Sequence, residues 1–287
     1  MYYLSRDSDL GHEIYHREKI MNIVDPPKTC DELNTALWRG SIDSYGNYRP
    51  RIAFRGMSEN YDNLRTSIQR IGGPGKIHPV SELSWRERRV IETFSTYARE
   101  HLPVGFTDWD VILLGQHYRL PTRLLDWTSS PYVALFFATE DTSKCDRDGI
   151  VWCVSRVDTL DALPDLLKGH LDSQSAKMFL LETLRTAFPS GLRQFDSDVS
   201  EEALIWFEPP SLSPRIVHQF ALFSMMAGVG SDHWDWLEKH PEFHWGVPVP
   251  ASLKKEIRQR LQVMNVTERT IYQGLEGIAR WLGSFYS

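Results

Sequence analysis

One stretch of the chain, residues 115–131 (GQHYRLPTRLLDWTSSP), carries most of the side chains that could do chemistry. Gln116, His117, Arg123 and Asp126 lie there among leucines and a tryptophan. Polar groups set this densely in apolar sequence must satisfy one another or form a binding site, because an unpartnered buried polar group is costly. We expect a site. A buried network that orders the core is the structural alternative.

The histidine of this stretch lies at the end of a predicted helix. Thr107 and Asp108 can cap that helix, and apolar residues recur at helical spacing from Trp109 onward. Gln116 and His117 continue the same stripe. A histidine at the C-terminal end of a helix feels the negative end of the helix dipole, which favours its protonated form. His117 is therefore a candidate catalytic group.

The arginine and the aspartate follow in an extended apolar segment. Alternation along it puts Arg123 and Asp126 on opposite sides unless the chain bends. An ion pair between them is compatible with this spacing but is not implied by it. Arg123 is a candidate for binding phosphate and Asp126 is a candidate catalytic carboxylate.

A helix begins at the end of the stretch. Ser129 or Ser130 can be its N-cap and Pro131 its first residue, and the following PYVALFFAT is apolar almost all round. The free N–H groups of such a helix start, beside Thr128 and Ser129, are a natural site for a phosphate or a carboxylate. The alternative is that these hydroxyl groups only cap the helix.

A second candidate position lies upstream, in RIAFRGMS at residues 51–58. The alternation there predicts a strand that places Arg55 near its end. Gly56 directly afterwards lets the backbone turn or lets a ligand approach it closely. We expect Arg55 to bind phosphate, and a surface salt bridge is the alternative interpretation.

The remaining pattern indicates an α+β fold, with a mixed or antiparallel central sheet and helices before, between and after the strands. Ser84 and Glu87 have the spacing of a capping box, and Tyr97 falls on the predicted buried face of the same helix. Residues 190–201 are predicted as a loop. The predicted helices are 30–41, 63–71, 81–101, 108–118, 131–139, 174–188 and two near the C-terminus; the strands are 51–58, 150–156, 203–207 and, at most as a short edge strand, 244–249.

The length of 287 residues suits one large domain or two modest ones. We interpret residues 1–28, which end at Pro26-Pro27, as a leader that packs late or not at all. Residues 29–287 are then a single domain. In its last helix, Leu275, Ile278 and Leu282 are predicted to be buried, which leaves Glu276 off the buried stripe.

Composition limits the partners. The formal net charge of -6 does not recruit nucleic acid, so such binding would need a local basic groove.

No apolar run approaches the roughly 20 residues of a membrane span, and no secretory signal is visible. Three cysteines without a CxxC motif suit a reducing compartment. We therefore predict a cytoplasmic protein with no membrane partner. His233, His240 and His244 have no metal-ligand spacing, and no metal is predicted.

These motifs together resemble the FRG-domain family, which is named for Phe-Arg-Gly as it stands at 54–56 here. The pattern QH…PTRLLDWT…SP…AL.FA at 116–138 is the most specific part, and RIVHQFALF at 215–223 looks like a later block. The resemblance covers roughly residues 50–282. It implies a mostly bacterial, intracellular family of largely undefined biochemistry, for which a role in anti-phage defence or as a toxin is an expectation by analogy. Tyr118 and Arg119, and the segment 272–274, depart from the family pattern.

Three features are similar to ADP-ribosyltransferases of the Arg-Ser-Glu type. In those enzymes an arginine at the end of an early strand grips the dinucleotide phosphates, as Arg55 would here. A Ser-Thr-Ser-like segment before a short apolar helix is matched by residues 127–130, and the fold is α+β. The resemblance implies NAD as substrate, with transfer to a protein or nucleic-acid acceptor or to water. Their catalytic carboxylate lies on a late strand, whereas Asp126 is early and Glu276 lies in a predicted helix; either is a candidate.

Two further interpretations remain. A phosphodiester-cleaving, nuclease-like enzyme would use His117 as general base and arginines for the phosphates. A binding module would recognise a nucleotide or a phosphorylated partner without turnover. In all of them the candidate ligand-binding residues are Arg55, Gly56, Gln116, Arg123, Thr128 and Ser129.

Overall fold

The computed structural model of the chain describes residues 22–42, 45–59, 64–73, 75–173, 178–199, 202–209, 214–272, 274–284 and 286. The strands in these residues are β1 (Ile52–Met57), β2 (Leu125–Thr128), β3 (Gly149–Ser155), β4 (Leu204–Phe207), β5 (Ala221–Met226) and β6 (His244–Val249). The helices are α1 (Cys30–Trp38), α2 (Val80–Tyr97), α3 (Asp108–His117), α4 (Pro131–Thr139), α5 (Asp165–Asp172), α6 (Leu181–Ala187), α7 (Leu192–Asp198), α8 (Pro214–His218), α9 (His233–Lys239), α10 (Ala251–Val263), α11 (Glu268–Ile271) and α12 (Gly274–Gly283).

The six strands form one sheet in the order β4-β5-β2-β1-β3-β6, and all neighbours are antiparallel. The predicted α+β class with an antiparallel central sheet is thereby confirmed. The pairing is uneven. β1 and β3 are in register from Ile52 to Met57, whereas β1 and β2 share the single pair Phe54↔Thr128. Two three-stranded sets, β4-β5-β2 and β1-β3-β6, therefore meet through one residue pair.

The side chains of β1 alternate between the two faces of the sheet, and each face packs against a different layer. Ile52 and Phe54 pack with α4 on one face, and Ala53 packs with the tryptophans of α9 on the other. The close approach of α4 explains the glycine in this strand. A Cβ at Gly56 would lie 1.8 Å from the carbonyl oxygen of Ala134. Gly56 is thus required by helix packing, and α4 is the central helix that its apolar sequence predicts.

Several predicted elements are confirmed by the structure. Helix α3 has Thr107 as N-cap, and the carboxylate of Asp110 accepts the Thr107 backbone N–H at 2.9 Å. Helix α4 begins at Pro131 with Ser130 as N-cap. The three cysteines are free thiols.

Other predictions are wrong for local reasons. Residues 64–73 form turns rather than a helix. Helix α2 begins at Val80, so Ser84 lies inside it and donates its hydroxyl to the Val80 carbonyl oxygen at 2.9 Å instead of capping. Glu87 is buried, and Tyr97 is 83% exposed. Tyr97 therefore lies outside the buried face of α2, which runs through Leu83, Glu87 and Ile91.

Corrections also concern the second half of the chain. Helix α6 is shorter than predicted, and the expected loop at 190–201 contains α7. Strand β6 pairs with β3 along its whole length, because Pro248 lies on the last strand of the sheet, where a missing N–H is tolerated. Of the predicted leader, residues 1–21 lie outside the described residues. Ile23 bridges Gly246 beside β6, so this end of the leader is packed.

The last helix differs most from its sequence pattern. Leu275, Ile278 and Leu282 are 84%, 40% and 47% exposed, although their spacing predicts a buried face. Helix α12 packs instead through Gly277, where a Cβ would lie 2.8 Å from the carbonyl oxygen of Glu268. The amphipathic pattern is present, but its apolar face is turned to solvent.

Candidate functional site

A pocket of about 670 Å³ lies where β1 and β2 separate beyond their single residue pair. The ends of β1 and β2 form its floor, and the C-terminal ends of α3 and α4, with α8, form its walls. Its polar lining includes Arg55, Ser58, Arg70, Gln116, His117, Arg119, Asp126, Thr128, Glu140, Lys144, Arg215 and Gln219. Most of the site residues predicted from the sequence are thus brought together.

The pocket is locally basic in an acidic protein. Five cationic side chains and three carboxylates line it, which gives a formal local charge of +2 against -6 for the chain. The cations are Arg55, Arg70, Arg119, Lys144 and Arg215; the carboxylates are Glu59, Asp126 and Glu140. A positive cleft with partly buried walls concentrates anions. The local basic groove that an anionic ligand requires is therefore present.

Arg55 is the most buried cation of the pocket. Its Nη1 donates to the backbone oxygen of Asp126 at 2.6 Å, across the opening between β1 and β2. Its Nε is buried and has no hydrogen-bond partner among the described residues. Burial lowers the pKa of Arg55 to about 10, while Asp126 opposes and Arg70 adds to this shift. The guanidinium is therefore still charged at neutral pH.

The carboxylate of Asp126 is exposed to the pocket and held in orientation. Its Oδ2 accepts a hydrogen bond from Gln116 Nε2 at 2.9 Å. The amide oxygen of Gln116 accepts in turn from the Thr122 hydroxyl. Because the amide oxygen is taken, the amino group of Gln116 points to Asp126. The end of α3 thus orients the carboxylate on β2.

His117 is half-buried at the pocket, with its ring edge to face with that of Tyr118 at a centroid distance of 5.0 Å. Its ring nitrogens form no hydrogen bond with the described residues. Burial, and then the charge of Arg215, lower the pKa of His117 below its ordinary value. This direction is opposite to the one expected from the helix dipole.

Two further arginines of the pocket form no ion pair with a carboxylate of the described residues. Arg70 is exposed, and its pKa is lowered by burial of part of the side chain, with Asp126 opposing and Arg65 adding to the shift. The guanidinium carbon of Arg215 lies 5.3 Å from the centroid of the Tyr272 ring. Both groups keep their hydrogen-bond donors for a ligand.

Glu140 is a pocket carboxylate that the sequence interpretation missed. It follows the last residue of α4 and accepts a hydrogen bond from the Tyr272 hydroxyl. Burial raises the pKa of Glu140, while Tyr272, Arg280 and Arg258 act in the opposite direction. The available signal was a lone charge at the end of an otherwise apolar helix.

Arg123 lies outside the pocket. Its Nε donates to Glu87 at 2.7 Å, and its Nη1 and Nη2 donate to Asp196 at 2.6 and 2.8 Å. The arginine and Glu87 side chains are only 4% and 7% exposed. Burial lowers the pKa of Arg123, but the two carboxylates outweigh it and raise the pKa above the ordinary value. All its donor groups are used within the fold, so we remove Arg123 from the candidate site.

The start of α4 is closed by its own cap. The Thr128 hydroxyl donates to the Gln219 backbone oxygen at 2.7 Å and accepts the Ser130 N–H at 3.0 Å. Ser130 Oγ accepts the Val133 N–H at 3.4 Å. Thr128 lines the pocket, whereas Ser129 does not. The pocket meets α4 at its C-terminal end, so the expected anion site at the helix start is not formed there.

Two other residues predicted from the sequence, Gly56 and Glu276, lie at the edge of the pocket. Gly56 lines the pocket with its backbone, but its missing side chain makes room for α4. Glu276 lies on α12, where its Oε1 is 2.9 Å from Arg280 Nη2 and 3.8 Å from Arg119 Nη2. Glu276 reaches the pocket only through Arg119.

The described residues contain no group of three or more histidine, cysteine, aspartate or glutamate side chains that could hold a metal. Within the same part of the chain, no helix is both long and apolar enough to cross a bilayer.

Comparison with known proteins gives one family. The family model of the FRG domain matches residues 50–147, which include Arg55, Asp126 and Glu140. Searches of curated proteins and of solved structures each returned no match. Residues 50–147 are therefore similar to the FRG domain, and they supply most of the residues that line the pocket.

Proposed function

We propose that the pocket binds a phosphorylated nucleotide, with NAD as the candidate substrate, and cleaves its N-glycosidic bond. The enzyme would be an ADP-ribosyltransferase or an NAD glycohydrolase. One observation carries the proposal: Arg55 and Arg70 form no ion pair with a carboxylate of the described residues, and they lie in one pocket with the carboxylate of Asp126, which Gln116 orients.

The arginines supply phosphate recognition. A guanidinium offers paired donors that match phosphate oxygens, and a charge in partly buried surroundings is weakly screened. Arg55 is held by its bond to the Asp126 backbone, and Arg70 stands on the turn opposite. Two such cations suit a pyrophosphate better than a single phosphate.

The carboxylate supplies the chemistry. In cleavage, the bond between C1′ of the ribose and the nicotinamide nitrogen breaks, and its electron pair leaves with nicotinamide, which becomes neutral. Positive charge develops on the sugar as an oxocarbenium ion, and a nearby carboxylate stabilises it. Water or an acceptor hydroxyl then bonds to C1′ and gives up its proton. Asp126 is the candidate for stabilising the sugar and Glu140 for taking that proton.

The choice of these carboxylates follows from the pocket. The late strand β5 lines it with Ala221 and Phe223 and brings no carboxylate there. Glu59 is paired with Lys144 at 2.8 Å and with Arg147. Among the described residues, no cation lies within ion-pair distance of the other two lining carboxylates, Asp126 and Glu140.

The test is nicotinamide release. Purified protein is incubated with NAD, and free nicotinamide is quantified by chromatography. We expect release by the wild type, loss of at least 100-fold in Asp126→Asn, and no change in Asp172→Asn, an exposed carboxylate on α5. No release by the wild type, together with no NAD-dependent change in melting temperature, would contradict the proposal. NAD binding without release would indicate a binding module.

Phosphodiester cleavage is the second candidate, because His117 is in the pocket, its pKa is lowered by burial and by Arg215, and its ring nitrogens have no hydrogen-bond partner in the part of the chain that the structure describes. It could accept a proton from water or a ribose 2′-hydroxyl. Hydrolysis of a short RNA or of an aryl phosphodiester by the wild type, lost in His117→Gln, would favour this function. If the wild type hydrolyses neither substrate, this second function is contradicted.

A defence or toxin role in bacteria is part of the same proposal, since consumption of NAD in the cytoplasm arrests growth. Induced expression should slow a bacterial culture and lower its NAD content. Asp126→Asn should do neither at equal protein level. An acceptor protein or nucleic acid would appear as a species labelled from radioactive NAD.

A further inference from the structure

Thr122 is a buried residue in the segment between α3 and β2, immediately behind the pocket. It is 2% exposed and is not among the described residues that line the pocket. Two residues that do line it, Ser67 and Gln116, are hydrogen-bonded to Thr122, and Gln116 is in turn bonded to Asp126. Thr122 can therefore act on the pocket only through these neighbours.

The hydroxyl group of Thr122 makes two hydrogen bonds whose directions are fixed. It accepts the Leu124 backbone N–H at 3.1 Å, and its single proton is donated to Gln116 Oε1. Gln116 Nε2 then donates to Asp126 Oδ2 at 2.9 Å. The opposite orientation of the amide would place Oε1 against that carboxylate oxygen, and two acceptors repel. The hydroxyl group thus holds the amide orientation that donates to Asp126.

The backbone of Thr122 holds a second wall of the pocket. Its N–H donates to Ser67 Oγ at 2.9 Å. Its carbonyl oxygen accepts from Ser67 Oγ at 3.2 Å and from the Ile68 N–H at 3.1 Å. Ser67 and Ile68 belong to the turn that carries Arg70, a cation of the pocket. The carboxylate of Asp126 and the turn of Arg70 are therefore fixed to the same residue.

We propose that Thr122 is the positioning residue of the pocket: its hydroxyl group orients the carboxylate of Asp126 through Gln116, and its backbone holds the turn that carries Arg70. The role rests on the function proposed above, in which Asp126 stabilises the ribose and Arg70 binds phosphate. A displacement of about 1 Å at a reacting group can lower a rate about 100-fold, so such support has a measurable effect.

The role of the hydroxyl group is tested by Thr122→Val, which keeps the size of the side chain and the backbone contacts. The amide of Gln116 is then held by Asp126 alone. We expect kcat for nicotinamide release to fall about tenfold with KM within about threefold, because the arginines are unchanged. Thr122→Ser, which keeps the hydroxyl group, should recover kcat. Equal kcat in the wild type and Thr122→Val, or a loss that Thr122→Ser does not recover, would overturn the proposal.

Thr159→Val is the matched control for loss of a buried hydroxyl group. Thr159 is 1% exposed, donates to the Arg156 carbonyl oxygen at 2.8 Å and accepts from Trp206 Nε1 at 3.0 Å. A general loss of stability should appear in the urea unfolding of both valine variants, whereas the loss of kcat should appear only in Thr122→Val. An equal loss of kcat in Thr159→Val would contradict the positioning role.

The role of the backbone contact is tested by Ser67→Ala, which removes both hydrogen bonds between the Ser67 hydroxyl group and Thr122. The dissociation constant for ADP-ribose, measured by calorimetry, should rise about fivefold, because the turn holds Arg70 less firmly. In an Arg70→Gln background the same change should have no effect. An unchanged constant in Ser67→Ala, or an equal rise in both backgrounds, would contradict positioning of Arg70 by this contact.

The hydrogen bond to Gln116 is tested without NAD. The side-chain amide of Gln116 gives a pair of resonances in a nitrogen-15 NMR spectrum, assigned by their loss in Gln116→Glu. Their exchange with solvent should be slow in the wild type and at least about tenfold faster in Thr122→Val. Equal exchange in these two proteins would overturn the proposal. So would exchange in the wild type as fast as that of the exposed Gln262, a result that needs no variant of Thr122.

The two measurements separate failure of the positioning role from failure of the proposed function. If the wild type releases no nicotinamide but the exchange of the Gln116 amide depends on the Thr122 hydroxyl group, the function is contradicted and the positioning of Gln116 stands. If nicotinamide is released and Thr122→Val changes neither kcat nor the exchange rate, the function stands and the positioning role is contradicted.

Discussion

Arg55, which is half-buried, and Arg123, which is buried, have opposite surroundings. Arg123 meets two carboxylates, Glu87 and Asp196, and all its donor groups are used. Arg55 meets a backbone oxygen, and within the described residues it has no carboxylate at ion-pair distance and no partner for its Nε. An arginine whose charge is balanced by carboxylates of the fold stabilises the structure. An arginine without such a carboxylate can bind an anionic ligand. Mutations at the two positions should therefore fail in different ways.

The largest effect is expected from Arg123→Met. It leaves the buried Glu87 and the half-buried Asp196 without their cation, and loss of one partner of a buried ion pair typically costs about 3–5 kcal/mol. Urea unfolding measures the free energy of unfolding. The triple variant Glu87→Leu, Arg123→Met, Asp196→Leu should recover most of this loss. A change below about 1 kcal/mol in Arg123→Met would contradict the structural role.

Gly56→Ala comes next. The added Cβ would lie 1.8 Å from the Ala134 carbonyl oxygen, so α4 must move from the sheet. Overpacking of this kind costs about 3 kcal/mol at the upper end of its usual range. The matched control is Gly169→Ala on α5, where nothing lies within 4 Å and helix propensity should add up to about 1 kcal/mol. Equal stability of the two variants would show that α4 does not approach β1 this closely.

Arg55→Gln should lower the free energy of unfolding much less than Arg123→Met or Gly56→Ala, and it should weaken ligand binding much more. Its loss removes one hydrogen bond from a charged donor to the Asp126 backbone oxygen. Because this bond is exposed to solvent, we expect it to contribute about 1.5 kcal/mol, the lower end of the usual range for charged donors. Binding of ADP-ribose, measured by calorimetry, should fall at least 30-fold. Arg89→Gln on the exposed face of α2 is the control and should change neither quantity. A large fall in the melting temperature of Arg55→Gln would show that Arg55 stabilises the fold and would contradict a role confined to ligand binding.

The smallest effect concerns Glu140→Gln and depends on pH. Because burial raises the pKa of Glu140, the folded state holds this proton more tightly than the unfolded chain does. The wild type therefore loses stability as pH rises from the unfolded pKa of about 4.5 through the folded pKa. The glutamine variant lacks this loss, so its advantage in melting temperature over the wild type should grow from pH 4 to pH 7.5. An advantage that shrinks with rising pH would contradict the shift.

The sequence predicts the secondary structure around the pocket well. The strand that carries Arg55, the helix that ends at His117 and the helix that begins at Pro131 all follow from periodicity and capping residues. The exposed position of Asp126 between buried Leu125 and Trp127 follows from alternation in the same way.

The sequence does not separate the two arginines, because their partners are distant in the chain. Glu87 is 36 residues from Arg123 and Asp196 is 73 residues away. Spacing alone assigned Glu87 to a helix cap. Periodicity also predicted a buried face for α12, since it reports an apolar stripe but not whether another element covers it. Tertiary pairing decides both questions.

The strand order has a consequence for synthesis of the chain. β1, β2 and β3 occupy the middle of the sheet and come first in the sequence, while β4 and β5 complete one side and β6 the other. A nascent chain therefore exposes the β2 edge of its central strands until β5 has left the ribosome, at residue 226, and the β3 edge until β6 has left it, at residue 249. The FRG match ends at residue 147, just before β3, which supplies six residue pairs to β1. A fragment limited to the matched residues would lack that partner, so the part of the chain that is easiest to recognise cannot form the same sheet by itself.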